Sequence, residues 1–518
     1  LAAPLFVVAG RWVWPAVFWI ALLWGARRLA SGRWTARSVL NAPVCLLAAL
    51  GVLGLLVSPD PITSLAAFRR LLFGAALYFA LLNGVRTQAA WRWLGWGLWA
   101  ACLGVTMLTL LGTQWGAVRL MTIPMVYDRL PAVVRDLDTN SSFNPRVMGM
   151  ALGMLFPLPL TYALWGQGRA WRFVAGLLGL VMAPVVLLTQ SIQALLGIAA
   201  ALWLLGVWRR RWALLALPTF LGCALCIALV RGLRPIAEAL LSYNHPLGIA
   251  VTLRLDIWSR ALAMIRAMPW TGIGLDMFPL IQSQFFTGYA IGPEPHAHNL
   301  YLQIALDTGV WGLLAFLWLL AAFVQVVRCA YRRSKNAEAR VWLVGLAAGV
   351  FSCAVSGVVD TLWTSKPAVL LWVLLGMAAA MASHQQAENP ARNVGAKSRA
   401  IARLGVGALF VGAPIVSLLL APGARELNWG RLVAHRAVLE SRILGMPPQE
   451  RLASAVERLQ RSMAYRSADA YTEELLGSVY AWLGEDQGAL EALQRRVALD
   501  GQDPMARYAP FVVWQRRL

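Results

Sequence analysis

Apolar stretches of about 20 residues recur along the first 420 positions of this 518-residue chain, and that recurrence excludes most folds. Each stretch is long enough to cross about 30 Å of hydrocarbon as a helix. No water reaches that layer, so backbone N–H and C=O groups must pair within the segment, which selects the α-helix. Only 14% of the residues are charged, against roughly 25% in soluble globular chains. The expected fold is all-α: a polytopic membrane helical bundle of about 12–13 spans. Spans are expected near 13–27, 39–57, 65–85, 93–112, 145–165, 171–189, 191–208, 212–231, 299–327, 341–360, 368–383 and 404–421, with a further stub at the start of the chain.

Charge orients the bundle. The chain carries 46 Lys and Arg against 24 Asp and Glu, a formal net charge of +22. The arginines fall in alternate connections: Arg27, Arg28, Arg33 and Arg37; Arg86 and Arg92; Arg169 and Arg172; Arg209, Arg210 and Arg211; Arg328, Arg332, Arg333 and Lys335; Arg392, Lys397, Arg399 and Arg403. Basic connections stay in the cytoplasm. This accounts for the excess charge without nucleic acid, which is not an expected partner. The opposite, extracytoplasmic side then receives the "SPDP" turn, the loop 113–145, the large loop 231–298 and everything after Ala421.

Two regions follow from this layout: a membrane domain over 1–421 and a soluble α-helical domain over 422–518. In the latter, "ADAYTEELLGSVYAWLGEDQGALEALQRRVALD" places Leu476, Gly477, Tyr480, Ala489 and Leu493 at the offsets of a tetratricopeptide-like helix pair. A generic helical hairpin is the alternative. This domain is the expected docking point for a protein partner or an acceptor chain. The six cysteines lie in or beside apolar segments, and the Cys223/Cys226 pair lacks the two further ligands that zinc needs.

Most candidate chemistry falls in the large loop. "VTLRLDIWSRALAMIRAMPWTGIGLDMFP" reads as a helix from about Leu253 to Met268, ended by Pro269 and followed by a turn at Gly272 and Gly274. Ile257, Ala261 and Met264 share one of its faces, while Arg260 and Arg266 lie off the Arg254 face and are expected in solvent. "PEPHAHN" then opens the next long helix, with Pro295 as a start and Asn299 as a cap. Three readings of His296 and His298 are open: metal ligands, helix-capping interfacial histidines, or a base. Glu294 is the only carboxylate near them in sequence. Imidazole suits a base because it titrates near working pH. Arg254 and Arg146 are expected on the same side of the membrane, with Arg69 and Arg70 as weaker candidates. A guanidinium there either holds a pyrophosphate bidentately or anchors the chain at the lipid interface.

The string "TLRLDIWSRALAMIRAMPWTGIGLDMF", followed by "HAHNLYLQIALDTGVWGLLAF", resembles the O-antigen ligase/polymerase superfamily across about 80 residues. The shared pattern is R-x-x-x-W, then P-x-x-G-x-G, then H-x-H-N-x-x-L-x-x-x-x-x-x-G. The resemblance implies a metal-independent, inverting glycosyltransferase of the GT-C type in the bacterial inner membrane, with its active face periplasmic. It implies transfer of a glycan from undecaprenyl pyrophosphate to a hydroxyl on a glycan, lipid or protein acceptor, without a cofactor. His298 would be the base, Arg254 would bind the donor pyrophosphate, and His296 would play a supporting role. One departure stands out. Where the family carries T-x-S-R-G, this chain reads "TQSIQ", with Ile192 in the arginine position. Arg146, Arg69 or Arg70 could replace that arginine. Otherwise the chain would be a catalytically degenerate scaffold that presents its helical domain to partners. A transporter predicts charges at mid-span, and the spans are nearly free of Asp, Glu and Lys.

Overall fold

The computed structural model describes residues 13–32, 34–85, 88–115, 127–130, 133–135, 142–209, 246–285, 294–388, 422–444, 449–465 and 470–499. In chain order the helices are α1 (Val13–Ser31), α2 (Asn41–Leu56), α3 (Pro61–Gly84), α4 (Gln88–Gly112), α5 (Pro145–Leu155), α6 (Pro157–Trp165), α7 (Arg169–Leu188), α8 (Ile192–Arg209), α9 (Pro246–Ala267), α10 (Phe278–Phe285), α11 (Leu300–Arg333), α12 (Ala337–Ser356), α13 (Val369–Glu388), α14 (Pro422–Leu444), α15 (Gln449–Tyr465), α16 (Ala470–Leu483) and α17 (Asp486–Leu499). Among the described residues the only β pairing is one isolated bridge, Thr113 to Phe143. The protein is an all-α, multi-pass membrane bundle.

Among the described residues seven helical segments are long and apolar enough to cross a membrane, the longest being Leu300–Arg333, and Asn41–Leu56 and Ile192–Trp208 are shorter apolar helices. These seven and two match nine of the expected spans. α1 covers the expected 13–27, while the spans expected at 212–231 and 404–421 lie outside the described residues. The core is closed by small residues. Ala378, Ala379 and Ala380 of α13 are all buried, and their short side chains let α13 lie close along α3.

The helix expected after the histidines starts at Leu300 rather than at Pro295, capped by Asn299, whose side chain accepts from Tyr301 N and Leu302 N. It is also not continuous. Gly309 sits at φ 73°, ψ −178° and splits α11 into two pieces. The turn after α9 fills this break. Ile273 N donates to the Leu306 carbonyl at 2.7 Å, and Val310 N donates to the Pro269 carbonyl at 2.8 Å. A Cβ on Gly272 would sit 2.3 Å from the Leu306 oxygen, and one on Gly309 would sit 2.5 Å from the Trp270 oxygen. The glycines of the two sequence motifs are therefore halves of one backbone lock. Gly309→Ala is expected to cost about 3 kcal/mol through strain and overlap, read as a lower detergent-phase melting temperature.

α9 begins earlier than expected and buries the anticipated face: Ile257, Ala261, Met264 and Met268 are each at most 3% exposed. Arg260 corrects the sequence reading. It is 3% exposed rather than solvated, because Asp256 one turn before it forms an ion pair with its guanidinium. Arg266 is exposed as expected.

The C-terminal helices share a core with this loop region. Ile257, Ala261, Met268 and Phe278 cluster with Leu432, Val438, Leu452, Leu475 and Ala492. The hairpin of α16 and α17 closes at the expected seam, where Gly477 lies against Leu493 and Gly488 against Tyr480. Arg431, 1% exposed, donates to the Ala267 carbonyl and, at 2.7 Å, to Thr472 Oγ1. Asn428 Nδ2 donates to Thr271 Oγ1 at 2.8 Å. α14 is thus fastened to the end of α9.

His435 bonds Tyr471 OH across this core at 2.7 Å. Burial first, and the Arg431 charge second, push its pKa down to about 3. A histidine held neutral in the folded state costs stability once the unfolded chain is protonated. The loss therefore begins as pH falls below about 6.5 and continues to about 3, at up to about 1.4 kcal/mol per pH unit. Hydrogen exchange of α14–α17 should show faster opening at pH 5 than at pH 7.5, and His435→Phe should remove most of that difference.

Candidate active site

The chain brings two distant segments side by side at one end of the bundle. Asn299 Nδ2 donates to the Val358 carbonyl at 2.8 Å, and Leu300 N donates to the Gly357 carbonyl at 2.7 Å. Gln303 steadies the same strap. Its Oε1 accepts from Ala297 N at 2.9 Å, and its Nε2 donates to Asp307 at 2.9 Å. His296 and His298 therefore face Asp360, four residues beyond the end of α12.

His298 sits between two carboxylates. Its Nδ1 is 3.1 Å from Asp360 Oδ1, and its Nε2 is 3.5 Å from Glu294 Oε2. Its backbone is left-handed at φ 46°, a conformation that costs a non-glycine residue of order 1–3 kcal/mol and clusters at functional sites. Burial alone would push its pKa down, but the hydrogen bonds to Asp360 and Glu294 outweigh burial and hold it above the usual histidine value. Asp360 moves the other way. Burial favours its neutral form, yet the His298 hydrogen bond holds its carboxyl below the usual range. Glu294 is likewise lowered, chiefly by its hydrogen bond to His298. His296 is pushed down by burial and by the neighbouring His298 charge. The two histidines have thus separated in basicity, and His298 is the more basic.

The arginines arrive from two other helices. Arg254 on α9 donates from Nε to the Val359 carbonyl at 3.2 Å, one residue from the carboxylate that holds His298. Trp258, one turn along, donates to the His298 carbonyl at 3.4 Å. The R-x-x-x-W spacing therefore aims both side chains at one strap. Burial opposes the Arg254 charge most, Asp360 supports it, and Arg146 opposes it. Arg146 also acts on Glu294, so its exposed side chain at the start of α5 belongs to the same electrostatic neighbourhood. Arg70 is one step removed: its guanidinium is paired with Asp276 in the glycine turn, and Asp276 in turn acts on His296. Arg69, one residue earlier on α3, is half-buried.

Sequence reasoning missed two members. Asp360 is 62 residues from His298, and it joins Glu294 as a second carboxylate beside the ring. Gln193 is 3% exposed and donates from Nε2 to Asp360 Oδ2 at 2.7 Å. It belongs to the "TQSIQ" string, where Ile192 is 44% exposed. Ser191 Oγ lies 3.1 Å from Gln193 Oε1 and 3.3 Å from the Arg146 carbonyl. The departure from the family string therefore lies against the same carboxylate and the same arginine.

Residues 175–317 match the family model described as O-antigen ligase. This stretch contains Gln193, Arg254, His296, His298 and Gly309. Over this stretch the chain is similar to the O-antigen ligase family. An O-antigen ligase of Pseudomonas aeruginosa is 29% identical over 293 residues, which cover 54% of this chain and 62% of that protein. The match thus spans less than two thirds of the relative. A solved structure described as "Structural coordination of polymerization and crosslinking by a peptidoglycan synthase complex" overlaps 66% of this chain and 97% of its own, at 19% identity and a TM-score of 0.36. A likeness that low carries no argument.

Proposed function

We propose that this protein is a metal-independent, inverting glycosyltransferase of the bacterial inner membrane, with the histidine end of the bundle facing the periplasm. It moves a glycan from a polyprenyl-pyrophosphate donor to a hydroxyl acceptor. The observation that carries this reading is the position of His298, held at Nδ1 by Asp360, with Arg254 bound to the adjoining residue. Asp360 accepts the Nδ1 proton and leaves Nε2 as the basic nitrogen. The contact to Glu294, at 3.5 Å, is longer than the 3.1 Å contact to Asp360, so an acceptor hydroxyl can take the Glu294 place at Nε2. Nε2 removes the hydroxyl proton as the oxygen attacks the anomeric carbon. The bond from that carbon to the phosphate oxygen breaks on the opposite face, and the lipid pyrophosphate leaves with the electron pair.

Arg254 and Arg146 neutralise the leaving pyrophosphate, as paired guanidinium groups do for phosphates generally. The link from Ser191 to the Arg146 carbonyl supports Arg146 as the replacement for the arginine absent at Ile192. The C-terminal helices, 422–518, act as a soluble tetratricopeptide-like domain that receives an acceptor or a protein partner. One observation favours the scaffold instead: the family's arginine position holds an exposed isoleucine. Complementation separates the two. In cells lacking the protein, the wild-type gene should restore the missing glycan conjugate and His298→Ala, at equal protein level, should not. Restoration by His298→Ala would leave the scaffold.

A further inference from the structure

We infer that His296, His298 and Asp360 form a capture site for a zinc-type divalent cation, and that an ion bound there switches the transferase off. One ligand atom from each of the three residues lies within 4.8 Å of the other two. Asp360 Oδ1 is 3.1 Å from His298 Nδ1 and 3.9 Å from His296 Nδ1. Tetrahedral zinc with bonds near 2.0–2.1 Å sets neighbouring ligands about 3.4 Å apart, so the two Asp360 pairs need shifts of about half an ångström and no pair needs to close by more than about 1.4 Å, with water as the fourth ligand. Two imidazoles and one carboxylate suit zinc, cobalt or nickel better than magnesium or calcium, which take oxygen ligands.

The supports behind the ligands have the arrangement that metal sites use. A ligating histidine usually gives its other ring N–H to a carboxylate, and a ligating carboxylate is itself hydrogen-bonded. Here Glu294 stands at Nε2 of His298. Gln193 donates to Asp360 Oδ2 at 2.7 Å, and Thr361 N donates to Oδ1 at 2.8 Å. The His296 nitrogen gives up only a long 3.3 Å contact from the His298 backbone N–H.

The consequence for the base is chemical. A cation on Nδ1 displaces the proton from that nitrogen, and the neutral imidazole's single proton then sits on Nε2, with none released. Nε2–H then points at Glu294 and can accept nothing from an acceptor hydroxyl. The ion is thus an inhibitor and takes no part in transfer. The inhibitory half rests on the transferase reading, whereas the binding half stands without it.

The full chain, purified in detergent and stripped with a chelator, is titrated with Co2+ and back-titrated with Zn2+. One equivalent of Co2+ should give the visible absorption of a four-coordinate ion without thiolate charge transfer. Asp360→Asn and His296→Gln should each weaken binding at least tenfold, with helicity and gel-filtration profile checked for both. No visible band in the wild type, or binding indifferent to both substitutions in folded protein, overturns the site. In vesicles, transfer should proceed fully in chelator and stop with stoichiometric Zn2+. Zinc bound at the site with undiminished transfer overturns the switch. Absence of transfer in chelator overturns the transferase reading, while the cobalt titration still decides the site.

Discussion

Replacing His298 by alanine is expected to lower the turnover number of glycan transfer by about 10²–10⁴-fold while leaving the donor KM nearly unchanged. That range is what a positioned base contributes, and a residue that acts only on the reacting proton does not alter ground-state binding. The check is a steady-state assay in vesicles with the donor concentration varied. The protein should stay folded, since the His298 side chain is partly open to solvent (16%) and removing it leaves no buried charge unpaired except Asp360, which keeps Gln193 and Thr361. A donor KM that rises in step with the fall in turnover would reassign His298 to binding.

Arg254→Ala should act on the other half of the reaction. Its guanidinium sits beside Val359 and Asp360, so removing it takes away positive charge where the leaving pyrophosphate forms. Loss of one such donor in a site shielded from water typically costs about 10²–10³-fold in turnover. Because the donor already carries its charge before reaction, KM should rise as well. Arg254→Lys should recover part of the binding and little of the turnover, since an ammonium lacks the planar fork. The measurement is again turnover and KM against donor. A variant that loses neither would show that Arg254 only fixes the strap at Val359.

The sequence discloses what is local. Apolar length reveals the spans. The motif spacing picks out Arg254, His298 and the glycine turn, because each signal lies within a few turns of chain. What stays hidden depends on pairing across the fold. Asp360 reads as the polar end of a span, yet it is the partner that fixes the His298 ring, 62 residues away. Gln193, 167 residues from Asp360, has no local mark at all. The break at Gly309 leaves no mark of its own in the sequence, because only the incoming turn at Pro269–Gly272 shows why no side chain fits there. Arg260 is buried against the expectation from its face, with Asp256 one turn before it pairing its guanidinium. Ile192 marks a departure whose meaning is spatial, since Ser191 beside it contacts the Arg146 backbone.

The central claim is a single displacement in which His298 takes the acceptor proton while Arg254 and Arg146 hold the departing pyrophosphate. The anomeric configuration of the product tests it most directly. Purified protein in vesicles, given an anomerically pure polyprenyl-pyrophosphate donor and an acceptor, should release product of inverted configuration, read by NMR of the new glycosidic bond. A retained configuration, or a covalent glycosyl–protein species trapped during turnover, would contradict the account.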